Sequence, residues 1–194
     1  MAQRGRAEYG ALAPALDLPT PAGGPRSLEE FRGRPVVVSF LGPANCLFCR
    51  AHVLRLVQAR DEVAKLGADV ILVAFHDPDL LMSKMMHDLE LPYVLLYDPA
   101  RQAYAQWGLG QATLRSKLTP GLYLAMLREL LKVMTGRERA LGDASDPGQL
   151  GGDFVVNGAG RIVFVKRMKS FHDRASIGDL LAALAAPTAA SRVA

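Results

Sequence analysis

Residues 36–50, VVVSFLGPANCLFCR, constrain the fold more than any other stretch. They open with an apolar run, residues 36–41, of the kind a strand buried on both faces shows. Gly42 and Pro43 end the strand. Asn45 is the expected N-cap of a helix opening at Cys46. Cys46 and Cys49 are the only two cysteines of the chain. Three positions apart in a first helical turn, their sulfurs share one face. Unpaired backbone N–H groups and the positive end of the helix dipole favour a thiolate there. Arg50 adds a fixed positive charge. Such surroundings lower a cysteine pKa from about 8.5 toward neutrality.

The flanking sequence alternates strand and helix patterns. Residues 13–18 suit an edge strand, residues 20–25 a turn, and Ser27 with Glu30 a capping box. Apolar positions from Leu47 to Leu66 recur at helical spacing, with Gly67 as a C′ residue. Further strands are expected over 70–75 and 93–97. Helices are expected from Pro78 through Met85 and Met86 to Leu89, and from Asp98 to Trp107. Residues 118–134 read as a long apolar helix, residues 154–165 as a Gly-turned hairpin, and residues 176–185 as a terminal helix. Strand–helix–strand spacing of this kind gives an α/β fold with parallel crossovers and a sheet covered by helices.

The 194 residues suffice for one domain with a substantial core, placed at residues 13–186 with flexible tails 1–12 and 187–194. A net charge of +4 is spread along the chain with no Lys/Arg block, which argues against nucleic acid or a membrane surface as partner. No stretch reaches the ~18 apolar residues of a membrane span, and the first 19 residues lack a signal-type apolar core. Two cysteines in a CxxC without a wider framework fit a reducing compartment, so the expected location is cytoplasmic. A zinc site would need two more ligands from His52, His76, His87 or His172, at spacings that match no zinc template.

Three segments carry a family resemblance. Residues 13–50, APALDLPTPAGGPRSLEEFRGRPVVVSFLGPANCLFCR, resemble the opening of the AhpC/TSA, or redoxin, branch of the thioredoxin-fold superfamily. YVLLYDPARQAYAQWGL resembles its middle strand and short helix. GQLGGDFVVNGAGRIVFVKRMKSFHDRASIGDLLAAL resembles the closing hairpin and helix of the peroxiredoxin-like group that carries a CxxC and a helical insertion before the hairpin. The resemblance implies a thioredoxin-like fold with a central mixed sheet flanked by helices. It also implies thiol-dependent redox chemistry without a bound cofactor, sustained by an external thiol reductant. The chain departs from peroxiredoxins proper in two ways. Cys46 stands where their Pro-x-x-x-Thr-x-x-Cys motif has threonine, with Pro43 one residue out of register. Their arginine before the late strand is replaced by Gly151, Gly152 and Asp153, and a thioredoxin-type cis-proline is missing there too.

The residues leave two assignments open. In a disulfide reductase Cys46, the earlier and more exposed sulfur, attacks and Cys49 resolves. In a peroxidase Cys49 attacks a peroxide or endoperoxide and Cys46 condenses with the sulfenic acid. His52, three residues after Cys49, is a candidate base if it faces the pair and a polar surface position if it does not. Arg50 is likewise either a thiolate partner or a solvent-facing charge. Tyr97, Tyr104 and Trp107 read as core or cleft wall. The helix at 118–134 reads as core, apolar pocket or homodimer contact. Expected partners are a thioredoxin-like or other thiol donor and a small peroxide or disulfide substrate. The rival of another class is a non-enzymatic thioredoxin-fold interaction module.

Overall fold

The computed structural model describes residues 7–44, 46–84, 89–112 and 148–186. Its elements in chain order are β1 (Asp17–Pro19), β2 (Pro25–Ser27), a 3-10 turn (Leu28–Phe31) and β3 (Val36–Phe40). There follow α1 (Leu47–Gln58), α2 (Arg60–Lys65), β4 (Asp69–Ala74), α3 (Pro78–Lys84) and β5 (Val94–Tyr97). The chain closes with α4 (Gln102–Gln106), β6 (Gly152–Val156), β7 (Ile162–Arg167) and α5 (Ile177–Ala185).

Five strands form one mixed sheet in the order β5-β4-β3-β6-β7. Helical crossovers make β3–β4 and β4–β5 parallel, whereas β6 returns antiparallel to β3 and turns directly into β7. The central position of β3 explains its sequence: all five residues are buried. Residues alternate between two packed faces. Val37 and Leu41, with Leu72 and Val155, meet Val53 and Leu56 of α1 and Leu180 and Leu184 of α5. Val38, Phe40 and Phe154 meet Tyr104 and Trp107 on the other face. There the rings pack edge to face, Phe40 to Tyr104 at 5.0 Å and Trp107 to Phe154 at 4.9 Å.

The capping box at Ser27 and Glu30 is formed, and Ser176 caps α5 through its hydroxyl. Gly67 and Gly108 take the left-handed conformation after α2 and α4, with φ of +62° and +73°. Two expectations are corrected. The helix expected as one piece from Leu47 to Leu66 is interrupted at Ala59, whose φ of −89° and ψ of 11° end α1. Val53, Leu56 and Val63 stay on the sheet across the break, so the apolar stripe in the sequence carries no mark of it. The strand expected over 13–18 is confined to β1 and pairs with β2 in a separate hairpin, not with the main sheet. The helix at 118–134, Met85, Met86 and His87 lie outside the described residues.

Candidate dithiol site

The chain leaves β3 through Leu41, Gly42 and Pro43 and enters α1 at the CxxC. Asn45, the expected cap, lies outside the described residues; the N-cap of α1 is Cys46. Its Sγ accepts the Cys49 N–H at 3.2 Å, and its own N–H donates to the Pro43 carbonyl at 2.9 Å. The Gly42 N–H donates to Cys49 Sγ at 3.3 Å. A Cβ at position 42 would stand 3.0 Å from Cys49 Sγ, so a glycine lets that sulfur approach the strand exit. Both thiols are free.

The pair therefore sits at a sheet-to-helix junction, but beneath the surface. Cys49 is fully buried, and Cys46, although the outer of the two, is only 8% exposed. Their ionisation is coupled. Cys49 is pulled below the ordinary thiol range by the hydrogen bond from the Cys46 thiol. The Arg174 charge and the Gly42 N–H add to this pull, against burial. Cys46 is pushed well above that range by the same hydrogen bond, by burial and by the Cys49 charge. Of the two, Cys49 is therefore the more readily ionised.

A buried polar cluster lies under this junction. Ser39 of β3 and Asp153 of β6 are opposite residues of the ladder. Asp153 Oδ1 accepts from Ser39 Oγ at 2.8 Å, His52 Nε2 at 3.1 Å and Arg174 Nη2 at 2.9 Å. Asp153 Oδ2 accepts the Ala175 N–H at 3.1 Å. Burial alone would raise the Asp153 pKa, but the Arg174 guanidinium, His52 and the Ser39 hydroxyl outweigh it and hold the carboxyl well below its usual range. His52 is pushed down by burial and by Arg174 against the pull of Asp153, so it is a neutral imidazole donating from Nε2. The surface placement considered for His52 is corrected: it is 1% exposed, because the helix face that carries Cys49 also carries His52 into the sheet.

Arg174 was not singled out in the sequence. It comes from the segment between β7 and α5, donates from Nη1 to the Phe40 carbonyl at 2.8 Å and from Nη2 to Ser39 Oγ at 2.7 Å, and its side chain is 4% exposed. Gly151 makes room for it. A Cβ there would overlap the Phe40 carbonyl and lie 2.9 Å from Arg174 Nη1. The start of β6 thus bears no arginine, yet a guanidinium reaches the same neighbourhood from another part of the chain. The sequence did carry one sign of this cluster: Ser39 and Asp153 are polar interruptions of buried strands, which need polar partners.

Arg50 is buried, not solvent-facing, and Pro43 is buried beside the pair. Trp107 and Tyr104 are core residues, and Tyr97 is half-buried. Phe48, between the two cysteines, faces the exposed His172 ring edge-on at 6.1 Å. Among the described residues no group of three or more His, Cys, Asp or Glu side chains is placed to hold a metal ion, and no helix is long and apolar enough to cross a membrane.

Comparison with known proteins bears on the family and the fold. Peroxiredoxin Bcp of Escherichia coli K12 is 30% identical over 115 residues, which cover 59% of this chain and 73% of that protein. The chloroplastic peroxiredoxin Q of Gentiana triflora is 30% identical over 100 residues, covering 52% of this chain and 46% of that one. The crystal structure of peroxidoxin BcpB from Mycobacterium tuberculosis superposes with a TM-score of 0.65 at 20% identity, over 92% of this chain and 97% of that one. It shares the thioredoxin-like fold. Residues 9–163 match the AhpC/TSA family model, and the chain belongs to that family, with peroxiredoxins of the Bcp and Q types among its homologues.

Proposed function

We propose that the protein is a thiol peroxidase in which Cys49 attacks the oxidant and Cys46 resolves. The observation that carries this reading is the asymmetry of the pair: Cys49 Sγ accepts from the Gly42 N–H and is the more readily ionised, while the Cys46 thiol is pushed the other way. The Cys49 thiolate attacks one oxygen of a hydroperoxide, breaking the O–O bond. Sulfenic acid forms on Cys49, and the alkoxide leaves and takes up a proton. The Cys46 sulfur then attacks the sulfenic sulfur, forming the disulfide and releasing water. An external dithiol of thioredoxin type reduces that disulfide, meeting Cys46 first because it is the outer sulfur. Cys49, the more acidic thiol, is the better leaving group of that exchange. Full burial of Cys49 suits a small hydroperoxide. This chemistry runs without a bound cofactor, in a reducing compartment such as the cytoplasm, within a single redoxin domain.

A second reading rests on exposure alone. As the outer sulfur, Cys46 is the one a protein disulfide would reach, which fits a disulfide reductase. Its raised pKa opposes attack from that position. The two readings separate on one equivalent of hydrogen peroxide followed by mass spectrometry. The peroxidase yields an intramolecular disulfide in the parent, a dimedone-trapped sulfenic acid at Cys49 in Cys46→Ser, and no peroxide consumption in Cys49→Ser. Undiminished consumption by Cys49→Ser overturns the assignment. A parent inert to peroxides and to disulfides leaves an interaction module.

A further inference from the structure

The peptide group between Leu41 and Gly42 is bonded at both ends. Its N–H donates to Cys49 Sγ at 3.3 Å, and its carbonyl, on Leu41, accepts the Tyr104 hydroxyl at 2.7 Å. The same hydroxyl lies 2.9 Å from the Val73 carbonyl, to which the Leu41 N–H also donates at 2.8 Å. Tyr104 comes from α4, on the opposite side of the sheet from the helix bearing the cysteines. It is 1% exposed, and burial raises its pKa well above the usual range, so it stays a neutral donor. Its ring is locked edge-on against Phe40 at 5.0 Å and Phe75 at 5.5 Å.

We propose that Tyr104 is a positioning residue of the dithiol site, acting on Cys49 through the Leu41–Gly42 peptide. A hydrogen bond received at a carbonyl polarises the amide and strengthens the bond its N–H gives. It also fixes the peptide plane, so the Gly42 N–H keeps its aim on the sulfur. The relay runs from hydroxyl to carbonyl, through the amide to its N–H and on to sulfur, and crosses the sheet without a side chain touching the thiol. Arg174 and Asp153 act on Cys49 from the other direction, and Cys46 from beside it; the Tyr104 hydroxyl bonds instead to the Leu41 and Val73 carbonyls. The proposal deepens the reading of Cys49 as the attacking thiolate, but its test needs no peroxide.

In a Cys46→Ser background, the rate at which Cys49 reacts with a small methanethiosulfonate is followed against pH. Tyr104→Phe keeps the ring and removes the hydroxyl. The expected result is a profile displaced to higher pH, with reaction below the midpoint roughly two- to fivefold slower, the size of a lost polarising bond. The control is Tyr93→Phe. Tyr93 donates to the Leu56 carbonyl at 2.7 Å, so its loss lowers the melting temperature without moving the thiol profile. Site-specific 3-fluorotyrosine at position 104, a stronger donor of nearly the same size, displaces the profile the opposite way and decides the matter should Tyr104→Phe not fold. Thiol profiles unchanged by the fluorinated residue, or by a folded Tyr104→Phe, overturn the proposal. Absent peroxide turnover in the parent, by contrast, overturns only the peroxidase reading.

Discussion

Ser39 and Asp153 face each other across the β3–β6 ladder, joined by a 2.8 Å hydrogen bond in the middle of an otherwise apolar sheet face. The carboxylate is held there by three further donors from His52, Arg174 and the Ala175 backbone. Breaking a buried charged pair on one side leaves the other charge uncompensated, which costs about 3–5 kcal/mol. Asp153→Leu is therefore expected to lower unfolding free energy by about that amount in urea, measured with the thiols reduced. A loss below about 1 kcal/mol would mean that Arg174 finds solvent or another partner.

The acid side of the stability curve should show two steps of one sign. His52 has a folded pKa below its unfolded value. Above about pH 6.5 it is neutral in both states and contributes nothing. As pH falls below that, the unfolded chain takes up a proton that the native chain refuses, so stability drops. Asp153, also depressed, stabilises the fold above the unfolded carboxylate value of about 3.9, and this is lost as pH falls further toward its folded value. His52→Gln keeps a donor for Asp153 and removes the first step alone. The difference in urea stability between parent and His52→Gln from pH 8 to pH 5 isolates it from the other histidines. A parallel pair of curves would contradict the neutral assignment.

The cap of α1 gives a third test, because its acceptor is a sulfur. Cys46→Ala strips the partner from the Cys49 N–H and is expected to cost roughly 0.5–2 kcal/mol, whereas Cys46→Ser supplies an oxygen in its place and restores most of it. Equal stability of the two variants under reducing conditions would show that the sulfur does not serve as a cap.

The fold was legible because β3, the CxxC junction and the closing hairpin each carry a local signature: an apolar run, a strand-breaking Gly-Pro and a Gly-rich turn. The position of Cys46 and Cys49 followed from the same logic. What lay beyond it was whatever depends on contacts between distant segments. His52 stayed open between a base facing the pair and a surface position because a helix with a polar outer face does not announce which polar residue turns inward. Arg174 had no periodicity to place it, and its role is set by Asp153, 21 residues away in the sequence. The sequence pointed to Asn45 and not to Cys46 as the cap because a thiol is not among the residues by which helix starts are read.

Arg174 provides the last and most direct test of the electrostatics around Cys49. Removing it alone leaves the Asp153 carboxylate buried and unpaired, so a folding defect would obscure any effect on the thiol. The double change Arg174→Met with Asp153→Asn removes both charges. Of the two, Arg174 has the larger influence on Cys49 and favours the thiolate, while Asp153 opposes it. The double variant should therefore fold, and its Cys49 should be less ionised at neutral pH. Its second-order rate with hydrogen peroxide is expected to fall about tenfold, and its alkylation profile to move to higher pH by the matching amount. Arg174→Lys keeps the charge but not the paired contacts to Phe40 and Ser39, so it should retain the thiol profile better than it retains stability. A double variant that folds and reacts at the parental rate would mean that the backbone donor and the Cys46 thiol suffice to activate Cys49 without the guanidinium.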